Sequence, residues 1–259
     1  MNTGFDGKGV VVTGAAQGVG LGAAEAFLER GARVALVDLN ETGVKTEADR
    51  LSDAGSIAKG IGCDVTDEDS VAAMVAEAIK ELGKVDVLIN NAGAITMGAC
   101  VDLTEAEWDL NMDVNAKGVF LGTRAILPHM LERESGSIVN TASEAGKMGM
   151  PLVSHYCAAK HAVIGFTRAV AREVAPTVRV NAVCPGTVET PMMERNYEAE
   201  TRLTGASREE IQKVLLDEIP MGRFQQPRDI AKVMMFLSSD AASEMTGQAV
   251  NVTGGKVQS

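Results

Sequence analysis

Tyr156 and Lys160 stand four residues apart, and Ser143 precedes Tyr156 by thirteen positions. On a helix, side chains four apart share a face. A free phenol has a pKa of about 10, and a nearby ammonium lowers that value by stabilising the phenolate. A serine hydroxyl alongside would hold the oxygen of an alcohol or a carbonyl. The three groups together suit proton exchange at a C–OH/C=O pair, with Tyr156 as the acid/base. The same Tyr/Lys spacing also occurs on ordinary amphipathic helices. Around these positions, Glu144, Ala145, Met150, His155, Met192 and Met193 are candidates for a substrate pocket. Glu144 and His155 would bind hydroxyls of a polyol or diol, or else face solvent or a subunit contact. The methionines would form an adaptable apolar wall, or pack in the core. Cys157 beside the tyrosine is read as a small packing residue rather than a nucleophile.

A second group of residues suits a dinucleotide. Thr13-Gly14-Ala15-Ala16-Gln17-Gly18-Val19-Gly20 follows a short apolar run and opens a helical pattern. Glycines there allow a tight turn and close approach to a pyrophosphate, and the helix N-terminus offers free N–H groups. Asp38 ends the next apolar run, 18 residues beyond Gly20. A carboxylate there accepts hydrogen bonds from ribose hydroxyls and repels a 2′-phosphate. Its neighbours Gln17 and Leu39 carry no charge, so the expected cofactor is NAD rather than NADP. The plain alternative is that Asp38 caps a turn with Asn40. Asp64 and Val65 follow a third run and would meet adenine, while Asn91, Ala92 and Gly93 follow a fourth and would leave room for ribose.

These residues need a scaffold that brings the ends of several strands together. Apolar runs at Gly9–Thr13, Arg33–Val37, Ile57–Cys63, Val85–Ile89, Ser137–Thr141, Val178–Val183 and Gln248–Val252 alternate with helical patterns. That alternation predicts a doubly wound α/β fold with a parallel sheet covered on both faces. Asp69–Leu82 is the clearest helix, with Val71, Met74, Val75, Ala78, Ile79 and Leu82 on one face. Thr66 with Asp69 resembles a capping box, and Gly83 supplies a stop. A long helix is expected from about Glu105 into Glu132, kinked or broken at Pro128, and another over His155–Val174. Residues 1–259 read as one domain. The polar stretch Glu189–Arg223 is expected to form a lid over the site.

The 259 residues are 46% hydrophobic, enough for a sizeable core without disulfide staples. A net charge of −11 disfavours nucleic acid as a partner. No apolar run is long enough to span a membrane. Met1–Val12 lacks the layout of a secretory signal, which leads to an expected cytoplasmic location. Cys63, Cys100, Cys157 and Cys184 show no C-x-x-C or zinc spacing, so no metal is expected.

With these motifs assembled, the chain resembles the short-chain dehydrogenase/reductase family. The resemblance rests on TGAAQGVG at Thr13–Gly20, NNAG at Asn90–Gly93, Asn115 within DVNAKGVF, Ser143, Tyr156-x-x-x-Lys160, and Pro185-Gly186 followed by Thr190. It runs nearly end to end. It implies a Rossmann fold with a seven-stranded sheet in order 3-2-1-4-5-6-7. It implies Tyr156 as general acid/base and Ser143 as orienter of the substrate oxygen. Lys160 would hold the nicotinamide ribose and tune Tyr156. Asn115 would sit at a local helix disturbance and hold a water. Pro185, Gly186, Val188 and Thr190 would line the nicotinamide. The family's usual assembly is a homotetramer, built partly through the helices carrying Asn115 and Tyr156. The chain departs from the family's frequent V-D-G-G in having Val252-Thr253-Gly254-Gly255.

The lid carries eight acidic against five basic residues. It makes a poor dock for an acidic acyl-carrier protein. The expected substrate is a small polyol, diol or secondary alcohol/ketone. The principal alternative is a 3-oxoacyl thioester reductase, and a non-catalytic dinucleotide-binding regulator is a second.

Overall fold

A computed structural model describes residues 4–52 and 57–258. Seven strands form one parallel sheet in the order β3-β2-β1-β4-β5-β6-β7. They are β1 (Gly9–Thr13), β2 (Arg33–Asp38), β3 (Ile57–Gly62), β4 (Val87–Asn90), β5 (Gly136–Thr141), β6 (Val178–Pro185) and β7 (Ala249–Val252). Alternation along the strands feeds two cores. Val10, Val12, Val34 and Leu36 face one side and pack with Phe27, Ile230, Met234 and Leu237. Val11, Ala35, Val37 and Leu88 face the other and pack with Met74, Leu82, Ile126 and Met130. The central strands β1, β2 and β4 are covered on both faces and read as near-continuous apolar runs, whereas the edge strands β3 and β7 are only partly buried.

The first face is covered by α1 (Gly18–Leu28), α2 (Glu41–Ser52) and, at the far end of the chain, α9 (Pro227–Ser238). Small residues let α1 approach closely: a Cβ on Gly22 would lie 2.8 Å from the Pro227 Cβ of α9. The second face carries α3 (Glu68–Leu82), α5 (Gly118–Glu132) and α6 (Ser154–Val174), with α4 (Glu105–Met112) packed against α6. Between β6 and α9 lie α7 (Pro191–Thr204) and α8 (Arg208–Asp217).

Two local expectations are corrected. The cap of α3 is Asp67, whose side chain accepts from Ser70 N, and not Thr66. Thr66 is spent on Asp64, donating its N–H at 2.9 Å and its hydroxyl at 2.7 Å. A carboxylate is also the better anion at a helix N-terminus. The stretch Glu105–Glu132 is disturbed at a π-helical turn, Asp113–Lys117, and not at Pro128, which lies inside α5 within a turn of its end. There a missing N–H costs little of the remaining ladder. Gly83 ends α3 in the left-handed conformation, as its position predicts.

The sheet order sets where a ligand can sit. From β1 the chain builds outward to β3, then returns to β4 on the other side of β1. Loops leaving β1 and β4 therefore diverge at their carboxyl ends and open a crevice there.

Candidate active site

That crevice is a cavity of about 670 Å³, walled by the ends of six strands together with α7 and α8. At its adenosine end, the Thr13 hydroxyl accepts from the N–H of Asn91 (2.9 Å) and of Ala92 (3.0 Å). The Asn91 side-chain amide donates to Thr13 O at 3.0 Å. The two glycine-bearing loops are thereby fastened to each other. Gly14 and Gly18 have φ of 65° and 59°, and a Cβ on Gly14 would lie 2.8 Å from Ala92 Cα. Only glycine meets both demands at that position. Gln17 caps α1 in an extended conformation, and its side chain takes none of the first-turn N–H groups. Those donors and the helix dipole face the cavity, which suits a pyrophosphate.

Gly14, Gln17, Gly18, Val19, Asp38, Leu39, Asp64, Val65, Asn91, Ala92 and Gly93 all line the cavity. Gly20 does not and is corrected. A Cβ there would lie 2.1 Å from Gly14 O, so Gly20 lets α1 pack against the loop from behind. Asp38 combines both readings of its sequence position. It accepts from Ala16 N and from Asn40 N, each at 3.0 Å, bracing the loop while facing the cavity. Each oxygen keeps a lone pair for a hydroxyl.

At the other end, Ser143, Tyr156 and Lys160 converge. Ser143 caps a 3₁₀ turn, Glu144–Gly146, just past β5, and its Oγ accepts from Ala145 N at 3.1 Å. Ser143 also hydrogen-bonds the Tyr156 hydroxyl. Lys160 Nζ lies 5.5 Å from the Tyr156 ring centroid and donates to Thr141 O at 2.8 Å. Asn115 sits in the π-helical turn. Its amide donates to Ala94 O (2.7 Å) and Asn111 O (2.8 Å), and its Oδ1 accepts from Ala94 N at 3.3 Å. The wider turn carries Asn115 to the loop after β4. Pro185, Gly186, Val188 and Thr190 complete the floor, and Thr190 caps α7 through Met193 N.

Burial dominates the electrostatics. The Tyr156 hydroxyl is pushed up to about 12 by burial, with the Ser143 hydrogen bond opposing the rise. Lys160 is pulled down to about 8 by burial. A buried ammonium with three donors and one carbonyl partner leaves two N–H groups for further acceptors, as a ribose diol supplies. The glycine cradle, the open α1 terminus and this under-partnered ammonium fit a nicotinamide dinucleotide.

The Lys160 shift has a stability consequence in the cofactor-free protein. The folded state loses the lysine proton first, so between about pH 8 and 10 the unfolded chain binds more protons and stability rises with pH. Tyr156 works oppositely, but only above its ordinary value of 10.0. Urea midpoints compared at the two ends of that window are expected to improve more for the native protein than for Lys160→Met. Equal changes in the two proteins would remove the buried-charge account.

Of the candidate substrate residues, Ser143, Glu144, Met150 and Met192 line the cavity, as does Met193, whereas Ala145 and His155 do not. Ala145 is buried against Val153 and Cys157, which confirms Cys157 as a packing residue. His155 is fully buried, and its Nε2 pairs with Thr96 Oγ1 at 2.7 Å. One residue along a helix rotates the side chain by about 100°, which turns His155 away from the Tyr156 face. Glu144 reaches the cavity but pairs with Lys256 at 3.2 Å. Glu218, within the expected lid, lines the cavity too, whereas sequence reasoning missed Lys256, Ile95, Met97 and Met148, which also line it. They lie on loops and tails without local periodicity, so no spacing signal marks them. Among the described residues there is no cluster of three metal-ligating side chains, and no helix is long and apolar enough to cross a membrane.

The seven-stranded parallel order and this rim-borne Ser/Tyr/Lys site define a nucleotide-dependent oxidoreductase of the short-chain type. A family model described as Enoyl-(Acyl carrier protein) reductase matches residues 14–256. The chain is 42% identical over 247 residues to 2-(S)-hydroxypropyl-CoM dehydrogenase 3 of Xanthobacter autotrophicus, covering 95% of each chain. It is 37% identical over 254 residues to a 3-oxoacyl-[acyl-carrier-protein] reductase of Thermotoga maritima, covering 98% and 99%. A crystal structure of a variant actinorhodin polyketide ketoreductase with NADPH superposes with a TM-score of 0.92 at 40% identity, covering 96% of this chain and 97% of that one. The chain belongs to the short-chain dehydrogenase/reductase family and is an oxidoreductase acting on CH–OH groups.

Proposed function

We propose that this protein is an NAD-dependent dehydrogenase that passes a hydride between nicotinamide and a small secondary alcohol or ketone. The observation that carries the reading is the convergence of the Tyr156 hydroxyl, the Ser143 hydroxyl and the Lys160 ammonium at one end of the cavity. When bound, oxidised nicotinamide supplies a hydride acceptor and a positive charge. Ser143 orients the substrate oxygen. Tyr156 as phenolate accepts the hydroxyl proton as the carbinol is oxidised, and returns it in the reverse direction. Lys160 holds the ribose hydroxyls and favours the phenolate by its charge. Asn115 anchors the loop after β4 beside Lys160 and holds a water leading to solvent.

Asp38 supports NAD, since a 2′-phosphate would meet its carboxylate with no cation adjacent at Gln17 or Leu39. Asp38→Ala is expected to narrow the preference for NAD over NADP by about tenfold, the worth of one charged hydrogen bond. Steady-state rates with both cofactors check this, and an NADP preference in the native protein defeats it.

Methionine and aliphatic side chains dominate the substrate wall, through Met97, Met148, Met150, Met192, Met193 and Leu215. His155 is turned away and one Glu144 oxygen is occupied, which favours a secondary alcohol with apolar substituents over a polyol. The names of several relatives support a second reading, reduction of 3-oxoacyl thioesters. A panel of secondary alcohols, diols and polyols with NAD, run beside acetoacetyl thioester with NADH, decides between them. Faster thioester reduction than any alcohol oxidation overturns the first reading.

Residues 189–223 act as the lid. Trp108 and Leu110 on α4 and Phe120 and Leu131 on α5 are large, apolar and substantially exposed, which supports a homotetramer formed through these helices. Light scattering after size exclusion tests this, and a monomeric mass contradicts it. A cytoplasmic location accords with the free cysteines among the described residues.

A further inference from the structure

The C-terminal turn after β7 carries a cation into the cavity wall. The Thr253 hydroxyl accepts from Val257 N at 3.1 Å and donates to Val257 O at 3.3 Å, closing a tight turn. Gly254 and Gly255 have φ of 64° and 95°, and Lys256 projects from this turn. Its Nζ lies 2.9 Å from Glu218 Oε2 and 3.2 Å from Glu144 Oε1. Glu144 immediately follows Ser143, and Glu218 caps the end of α8. All three charged residues line the cavity. The turn and the end of α8 already form one unit: Met221 N donates to Gly254 O at 3.0 Å, and a Cβ on Gly254 would lie 2.6 Å from Ile219 Cγ2.

We propose that Lys256 is a positioning residue whose ammonium ties the lid end and the C-terminal turn to Glu144, fixing the substrate-side wall beside Ser143. The bridge joins three segments that are distant in sequence: the end of α8, the turn after Ser143 and the C-terminal turn. A buried ion pair contributes little net stability, because desolvation offsets attraction, so its effect falls on position. The pair is also incompletely satisfied, since Glu144 Oε2 is buried without a partner among the described residues. Burial pushes the Glu144 carboxyl up despite Lys256, and the two carboxylates hold Lys256 up against burial.

The inference rests on the alcohol dehydrogenase reading for its kinetic arm only. In Lys256→Met, the KM for the alcohol is expected to rise about tenfold more than the KM for NAD, because the wall meets substrate and not adenosine. Hydrogen exchange of the α8 amides is expected to quicken by about fivefold or more as the lid end loosens. Lys256→Arg restores most of both, since a guanidinium can span the same two carboxylates. The double variant Glu144→Gln/Lys256→Met, which buries no unpaired charge, serves if the single variant folds poorly, and it is expected to show the same loosened α8. Unchanged α8 exchange in a folded variant, or equal rises in both KM values, overturns the proposal. Faster α8 exchange in a protein that oxidises no alcohol upholds the bridge and defeats the functional reading instead.

Discussion

Replacing Tyr156 by phenylalanine is expected to reduce kcat by at least about a hundredfold, the scale of a lost general acid/base, while NADH still binds with near-native affinity. The argument is local. Phenylalanine keeps the ring that fills the space by Lys160 and removes the hydroxyl that, on the proposed reading, takes the substrate proton. On the proposed reading the cofactor is held mainly by the glycine loops, Asp38 and the Lys160 ammonium, so binding and turnover should separate. Burial places the phenol at about 12 in the cofactor-free protein, so alcohol oxidation should accelerate as pH rises and more of the tyrosine is carried as phenolate. The measurements are NADH fluorescence titration and stopped-flow hydride transfer. A variant keeping more than about a tenth of native turnover, within 1.4 kcal/mol in barrier height, would remove Tyr156 from the chemistry.

The second large effect is expected at a residue that never touches the cavity. Gly20→Val should weaken NADH binding by about a hundredfold, near 2.7 kcal/mol, with the far-ultraviolet circular dichroism of the sheet retained. The added Cβ meets Gly14 O at 2.1 Å and Asn91 Nδ2 at 2.7 Å, both part of the fastening between the two glycine loops. Gly14 O is backbone, and Asn91 Nδ2 is held by its hydrogen bonds to Thr13 O and Gly14 O, so α1 and its free N–H groups must withdraw from the phosphate position. Native affinity in this variant would show that the loop tolerates displacement and that its close packing is incidental.

The order in which these residues became legible follows from physics. Strands buried on both faces read as continuous apolar runs, which made β1, β2 and β4 plain, while the partly buried edge strands β3 and β7 were found by their place in the alternation, with ends shifted by a residue or two. The Tyr156/Lys160 pair was visible because its spacing is local, whereas Asn115 was marked only by the family resemblance. The cap of α3 was misplaced because Thr66 and Asp67 are both good caps, and a competing bond to Asp64 decides between them. His155 was assigned to the pocket by adjacency to Tyr156, which along a helix means a different direction. Lys256 was invisible because its partners lie 38 and 112 positions away, and charge pairing at that distance leaves no periodic trace. The family resemblance carried the strand order, which alternation alone does not determine.

The π-helical turn at Asp113–Lys117 makes the ladder between α4 and α5 a phase shifter. One surplus residue per bulge turns everything downstream by about 100° relative to an uninterrupted α-helix. The face that α4 offers to α6 and the face that α5 offers to α3 are thus set by a single local miscount. Deleting one residue here would straighten the rod but leave its two halves out of alignment with their neighbours. A change of length inside either helix would rotate its downstream face by the same angle, and within this stretch the identity of buried Asn115 matters as much as the residue count.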